Sequence, residues 1–102
     1  MLIDEFAISH SEHSGLFFES AADVTLIGSA TQGANGDVTV VVLPGALGVT
    51  FSGRDVRHVD GRQLQRIGLQ PQIPVRPTAA GLRAGRDEVL ERALQEIGPE
   101  SK

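Results

Sequence analysis

The first 28 residues predict a strand, a helix and a second strand, and this order limits the folds open to the chain. Residues 1–4 fit the end of a strand, while residues 23–28, β-branched and apolar between an acid and a glycine, fit a strand buried on both faces. Between them, a serine followed by glutamate opens a segment with helical spacing, over about residues 10–22. Strands joined through a helix are parallel, so we expect a βαβ unit within a mixed α/β domain.

A β-hairpin is predicted next. Two extended segments, at about residues 37–43 and 47–52, reverse direction at Pro44, Gly45 and Ala46. The run from Val38 to Leu43 is too apolar for a freely exposed ribbon. We therefore expect another surface to cover it.

Three prolines shape the segment that follows. Pro71, Pro74 and Pro77 exclude a helix and a central strand, because proline lacks the N–H that either would need. The segment is expected to run as an extended strap along a sheet edge.

The last predicted element is an amphipathic helix. Five apolar side chains fall on one face, at positions 89, 90, 93, 94 and 97, and Gly98-Pro99 ends the pattern. Glu88 and Arg92 have the i,i+4 spacing of an ion pair on the solvent side.

The composition narrows the function classes. At 102 residues the chain is one small domain, and without cysteine it has no disulfide or thiolate chemistry. Residues 1–53 hold six acids and no Arg or Lys, while residues 54–102 hold nine basic and seven acidic residues, so no basic face is expected. With four Phe and no Tyr or Trp, nucleic-acid binding is not expected. No membrane segment or signal peptide is recognised, and the compartment stays open.

Polar groups concentrate at the predicted strand-to-helix junction, in "ISHSEHSG", residues 8–15. Ser9 would lie where the first helix amides converge, a position that favours an alkoxide and holds the oxyanion of an acyl-transfer intermediate. The alternative is that Ser9 or Ser11 only caps the helix, as serines commonly do.

The histidines offer weaker candidates. His13 follows Ser9 by four residues and is a possible general base, whereas His10 and His58 are expected to be solvated or packed. His10, Glu12 and His13 are crowded, but they lack the spacing of two histidines at i and i+4 around a glutamate. The glycines of "GSATQGANG" match no phosphate-binding loop. We therefore expect no metal and no cofactor.

Several motifs occur together in a known order: "SHSE" opening a helix, "VTLIG" followed by "TQGANG", a reversal through "LPG", "DGRQLQRIGLQPQIPV", and "GLRAGRDEVLERAL". In this order the chain resembles the C-terminal-processing (tail-specific) serine peptidases, in the branch of the tricorn core protease. The likeness covers nearly all 102 residues and corresponds to the carboxy-terminal part of the catalytic domain, so residues 1–102 are assigned to it. It implies a fragment of a crotonase/ClpP-like fold with short strands, a β-hairpin and two main helices.

The resemblance implies roles for individual residues. Ser9 matches the position of the nucleophile, and the backbone N–H of His10 matches one donor of the oxyanion hole. Ser11 and Glu12 match residues that follow the nucleophile and are possible supporting residues. The other oxyanion donor belongs to an upstream glycine segment that does not occur in these 102 residues.

The sequence departs from the family pattern at the proton acceptor. Many members carry a lysine base within "TFGKG", but here the same place reads "TQGAN", with Ala34 at the base position. Lys102 is the only lysine. In the tricorn-like branch the base is a far-upstream histidine, supported by a glutamate that aligns near Gln65, and "PD" aligns with Pro71-Gln72. Gln65 could still hydrogen-bond a histidine, but it carries no charge to stabilise an imidazolium.

The implied function is that of a fragment of a serine endopeptidase that cleaves polypeptides near their C-termini through an acyl-enzyme. The isolated chain is expected to be inactive because it lacks a general base. Whether it is an enzyme by itself stays open. The alternative is a non-catalytic, oligomeric interaction or structural protein derived from a truncated peptidase. In either case we expect a homo-oligomer that covers the apolar ribbon. Relatives are often exported or periplasmic.

Overall fold

The computed structural model describes residues 1–21 and 23–98. In chain order the elements are β1 (Leu2–Ile3), α1 (His10–Ala21), β2 (Ile27–Gly28), β3 (Val38–Leu43), β4 (Leu47–Ser52), β5 (Ile73–Pro74), α2 (Ala79–Arg83) and α3 (Glu88–Ile97). The mixed α/β class with short strands and a hairpin is confirmed. The predicted ends of the first helix at residue 22 and of the last at Pro99 lie outside the described residues.

A small parallel sheet in the order β1-β2-β5 organises the domain. Leu2 pairs with Ile27 and Ile27 pairs with Ile73, so β2 is central and the proline-rich segment forms an edge, as predicted. Helix α1 connects β1 to β2, which confirms the parallel βαβ unit. The second strand is shorter than the predicted residues 23–28, because the side-chain oxygen of Gln72, not a neighbouring strand, accepts from the Leu26 N–H at 2.6 Å.

The core is a thin cluster of five aliphatic side chains: Ile3, Leu16, Leu26, Leu64 and Leu69. The sheet and α1 supply three of them. Leu64 and Leu69, both 0% exposed, come instead from the turn-rich segment before the strap. That segment therefore closes the core beneath α1.

Helix α1 lies directly on the core at Gly15. A Cβ at this position would meet Cδ1 of Leu69 at 2.2 Å. Since carbon atoms cannot approach so closely, only glycine allows the helix to pack at this depth.

The hairpin of β3 and β4 forms in the predicted place and projects from the sheet. The register runs from Val38 opposite Ser52 to Leu43 opposite Leu47. Apart from half-buried Thr39, every residue of both strands is exposed. Its apolar side chains, 43–77% exposed, are Val38, Val40, Val41, Val42, Leu43, Leu47, Val49 and Phe51.

Two helices end the described chain. Helix α2, which the sequence analysis did not predict, is capped by the Thr78 hydroxyl, which accepts from the Gly81 N–H at 2.9 Å. Helix α3 matches the prediction and is capped by the Asp87 carboxylate. No helix within residues 1–21 and 23–98 is long and apolar enough to cross a membrane.

The expected Glu88–Arg92 pair was wrong. The Glu88 carboxylate turns back to the α2 cap, where it accepts from the backbone N–H of Thr78 at 2.5 Å and from its hydroxyl at 3.1 Å. Arg92 binds Glu96, one turn further on. Two donors from one residue hold Glu88 more firmly than a solvated guanidinium would.

Candidate functional site

Ser9 occupies a strained turn at the junction of β1 and α1. Its φ is 53°, in the left-handed region, which costs a non-glycine residue about 1–2 kcal/mol. The turn is prepared by Asp4, whose Oδ1 accepts from the N–H groups of Phe6 and Ala7 at 2.9 and 3.1 Å. Helix α1 begins at the next residue, His10. Asp37, Ala46 and Arg66 also have positive φ, so the strain marks Ser9 as a candidate only together with its place at the start of the helix.

The helix amides beyond Ser9 are not capped by serine hydroxyls. Within residues 1–21 and 23–98, neither Ser9 Oγ nor Ser11 Oγ takes part in a hydrogen bond, so the expected serine cap is not formed. In the same part of the chain the N–H of His10 has no acceptor. An exposed hydroxyl thus lies next to an amide that is free to bind an oxyanion.

The buried side chain of Glu12 holds the Ser9 turn in place. Its side chain is 0% exposed, and both carboxylate oxygens are fully used. Oε2 accepts from the N–H of Ser9 at 3.1 Å and from that of Ala34 at 3.0 Å. Oε1 accepts from the Thr31 hydroxyl and the Gly33 N–H, both at 2.6 Å. Four donors offset the cost of burying the carboxylate and join the Ser9 turn to the loop of residues 31–34.

The sequence contained a signal for this arrangement. Ser9 and Glu12 have the spacing of a capping box, in which the glutamate reaches back to the N–H of the residue before the helix. The structure forms that half of the box only. The contacts of Glu12 with residues 31–34 could not be read from the spacing, because they depend on the tertiary fold.

His13 is engaged away from Ser9. Its Nδ1 lies 3.2 Å from the side-chain nitrogen of buried Asn35, and its ring packs edge-on against Phe17 at 4.9 Å. Because an amide NH₂ can only donate, Nδ1 accepts, and a neutral ring carries its proton on Nε2. His10 is exposed, with its ring 6.5 Å from that of His13.

His58 is packed, one of the two states that we expected for it. It is 6% exposed and its Nδ1 lies 2.5 Å from Glu19 Oε2 on α1. Arg62 binds the other Glu19 oxygen at 3.0 Å. None of the histidine rings in the described part of the chain makes a hydrogen bond to the Ser9 hydroxyl.

The two positions that the resemblance aligns with charged groups, Ala34 and Gln65, hold structural contacts here. Ala34 is exposed and contributes only its backbone N–H, to Glu12. The Gln65 side-chain NH₂ donates to the backbone oxygens of Asn35 and Arg54, at 2.8 and 2.6 Å. Within the residues that the structure describes, Gln65 contacts no histidine ring. No cluster of three metal-binding side chains occurs in that part of the chain either.

One protein-family model and one curated relative match the chain. The model of peptidase family S41 matches residues 1–75. A protein of Chlamydia pneumoniae is 32% identical over 100 residues, which are 95% of this chain and 16% of that protein.

Solved structures share the fold. A protein assigned as a peptidase from Parabacteroides merdae superposes with a TM-score of 0.87 at 24% identity, over 98% of this chain and 31% of that one. Mature CPAF gives 0.71 at 23% identity, over 94% and 18%, and the tricorn protease gives 0.78 at 19% identity, over 94% and 10%. The chain therefore spans less than a third of the length of each of these proteins.

Proposed function

The chain belongs to peptidase family S41, and from that membership we propose that it forms part of a serine endopeptidase which cleaves polypeptides near their C-termini. Residues 1–102 correspond in this proposal to the carboxy-terminal part of the catalytic domain. The observation that carries it is the strained, exposed Ser9 turn beside the N–H of His10, which has no acceptor among residues 1–21 and 23–98.

The proposed chemistry is acyl transfer. Ser9 Oγ attacks the carbonyl carbon of the scissile peptide bond while a general base takes the hydroxyl proton. The carbonyl oxygen becomes an oxyanion, to which the N–H of His10 donates. The intermediate collapses to an ester on Ser9 and releases the amine, which takes the proton back from the base. Water then hydrolyses the ester in the same way.

The general base in this proposal comes from outside these 102 residues. Ala34 has a methyl group at the family's lysine position, and His13 is held by Asn35. Because a serine without a base has the reactivity of an ordinary alcohol, the isolated chain is proposed to be inactive. Ser11, Glu12 and Gln65 act as supporting residues, of which Glu12 is in direct contact with the Ser9 backbone.

We also propose that the chain is a homo-oligomer. The exposed hairpin presents a continuous apolar face, with Val41 opposite Val49 and Leu43 opposite Leu47. This exposure favours a second candidate function, that of a non-catalytic oligomeric interaction protein derived from a truncated peptidase. The hydrogen bonds of Gln65 and Gln72 to backbone groups fit that alternative, since both side chains serve the fold.

A fluorophosphonate probe with a C-terminal peptide panel tests the proposal. We expect covalent labelling at Ser9 that is slow for want of a base but faster than at any other serine, because the His10 N–H can still stabilise the oxyanion. It should occur without turnover by the isolated chain, be lost in Ser9→Ala and be kept in Ser11→Ala. Peptide release abolished by Ser9→Ala would overturn the proposed inactivity. No labelling of a chain with a folded circular-dichroism spectrum would favour the interaction protein over the peptidase.

A further inference from the structure

A cavity of about 360 Å³ opens at the carboxyl ends of the parallel strands. Its walls include the residues that follow β1, Ser29 after β2, and Val75 after β5. Ligands of α/β sheets commonly bind at this end, and the volume is within the range of about 300–1,000 Å³ that is usual for ligand sites.

The cavity adjoins the Ser9 turn. Ala7 forms part of its wall and precedes Ser9 by two residues, so their Cα atoms are within roughly 7 Å. The backbone oxygen of Ala7 accepts from the Gln32 N–H at 3.1 Å, which ties this wall to the loop that Glu12 holds. Ser9 does not itself line the cavity, but a polypeptide whose carbonyl lies on Ser9 has the Ala7 wall within about two residues' length.

The interior of the cavity is apolar. Leu2, Phe6, Pro77 and Val89 are among the apolar side chains that line it. The Phe6 side chain is 78% exposed and Leu2 is 44% exposed, so the surface is open to an incoming group. Such walls fit the methylene groups of a long side chain.

The rim of the cavity carries an excess of negative charge. Its carboxylates belong to Asp4, Glu5 and Asp87. Each has one oxygen in an internal hydrogen bond, to the turn amides, to the Ser29 hydroxyl and to the Leu90 N–H respectively. Within residues 1–21 and 23–98 none of the three forms a salt bridge, although Arg76 lies close enough to act on Glu5 electrostatically.

This charge selects among possible occupants. An acidic side chain would be repelled, and a purely apolar one would bring carboxylate oxygens out of water without a partner. A lysine or arginine satisfies both surfaces, because its stem lies against the apolar wall while its cationic end reaches the rim.

We propose that this cavity is a subsite for an arginine or lysine side chain of the polypeptide that lies across Ser9. The subsite rests on the proposed peptidase function and adds a substrate class to it, namely polypeptides with a basic residue close to the scissile bond. Glu5 and Asp87 are its specificity-determining residues.

Binding can be tested without catalysis. We would titrate the ¹⁵N-labelled full chain with N-acetyl-arginine methylamide and, separately, with N-acetyl-norleucine methylamide, following amide chemical shifts. The arginine probe is expected to shift residues 5–7, Ser29 and Val89 and to bind up to about fivefold more tightly than the neutral probe, as for exposed ion pairs. Equal affinity of the two probes, or shifts confined to other residues, would overturn the proposal.

Isosteric variants sharpen the test. Glu5→Gln can still accept from the Ser29 hydroxyl and Asp87→Asn can still cap α3, so both are expected to fold. Each should weaken the arginine probe by roughly threefold and leave the norleucine probe unchanged. Asp55→Asn, at an exposed carboxylate outside the cavity, is the matched control. The result is separate from the peptidase proposal: fluorophosphonate labelling reports on Ser9, and probe binding reports on the cavity alone.

Discussion

The backbone amides of Ser9 and Ala34 donate to the same oxygen atom, Oε2 of Glu12, at 3.1 and 3.0 Å. One buried side chain therefore holds together the proposed nucleophile and Ala34, the residue that the resemblance aligns with a lysine base. In this proposed alignment Ala34 keeps the backbone position but has no group that can accept a proton.

Glu12 is expected to dominate local stability. In Glu12→Gln an NH₂ group replaces one carboxylate oxygen and faces donors that it cannot bind. The loss of these buried hydrogen bonds should lower the free energy of unfolding by about 3 kcal/mol. Urea denaturation measures this change. Glu96→Gln, which removes an exposed pair with Arg92, should cost less than about 1 kcal/mol. Equal costs in the two variants would contradict the anchoring role of Glu12.

The strained backbone at Ser9 predicts that glycine at this position stabilises the chain. Ser9→Gly should raise the free energy of unfolding by about 0.5–1 kcal/mol, because relief at φ 53° exceeds the extra backbone entropy of glycine. Ser9→Ala should change it by less than about 0.5 kcal/mol, since the hydroxyl makes no hydrogen bond within the described residues.

The control for this prediction lies in the same helix. Ser14→Gly, inside α1, should lower the free energy of unfolding by about 0.5 kcal/mol, because glycine has a poorer helix propensity than serine. Thermal melts of the three variants compare them directly. A stability loss in Ser9→Gly as large as in Ser14→Gly would show that the turn is not strained.

A lysine at position 34 should restore reactivity. Ala34 is exposed and binds Glu12 only through its backbone N–H, so Ala34→Lys is expected to fold. Fluorophosphonate labelling of Ser9 should become at least about tenfold faster, because a positioned general base contributes roughly a hundredfold or more. Ala34→Met, of similar length without the amine, should show no gain. An equal gain in both variants would exclude a proton-transfer role for the lysine.

The Glu5 carboxyl should titrate below its ordinary value of 4.5. The Ser29 hydroxyl lowers its pKa most, with further contributions from the Glu5 backbone and from Arg76. Because this pKa is depressed in the folded chain, the associated stability is present above 4.5 and is lost as pH falls through the folded pKa. Carboxyl ¹³C shifts measure the midpoint.

Ser29→Ala provides the matched variant for this titration. Without the hydroxyl, the Glu5 midpoint should move upward towards 4.5, while that of Glu91, which is lowered by Arg86, should not move. A Glu5 midpoint that is unchanged in Ser29→Ala would assign the lowered pKa to the Glu5 backbone N–H and Arg76 instead of the hydroxyl. The arginine probe should also lose affinity over the same acidic range, since protonation removes a rim charge.

The sequence correctly predicted those helices and strands that neighbouring residues determine. Periodicity indicated α1, α3 and the hairpin, and prolines indicated an edge strap, because these features are encoded by neighbouring residues. The burial of Leu64 and Leu69 was not predicted, since neither lies in a periodic run. The contacts of Glu12 and the cavity beside Ala7 join segments 19 or more residues apart, and their side chains carry no local signature.

The exposed hairpin predicts self-association through one of its two faces. Thr39, Val41, Leu43, Leu47, Val49 and Phe51 alternate onto one face, which is apolar on both strands, while Gly48, Thr50 and Ser52 share the other face with Val38, Val40 and Val42. Val49→Lys should therefore reduce the mass measured by light scattering from a multiple of 10.8 kDa to that of a single chain, because a desolvated lysine opposes burial of the first face. Thr50→Lys, one residue away on the other face, should leave the oligomer intact. A wild-type chain that is monomeric at high concentration would contradict self-association, and equal effects of the two lysines would place the contact elsewhere on the hairpin.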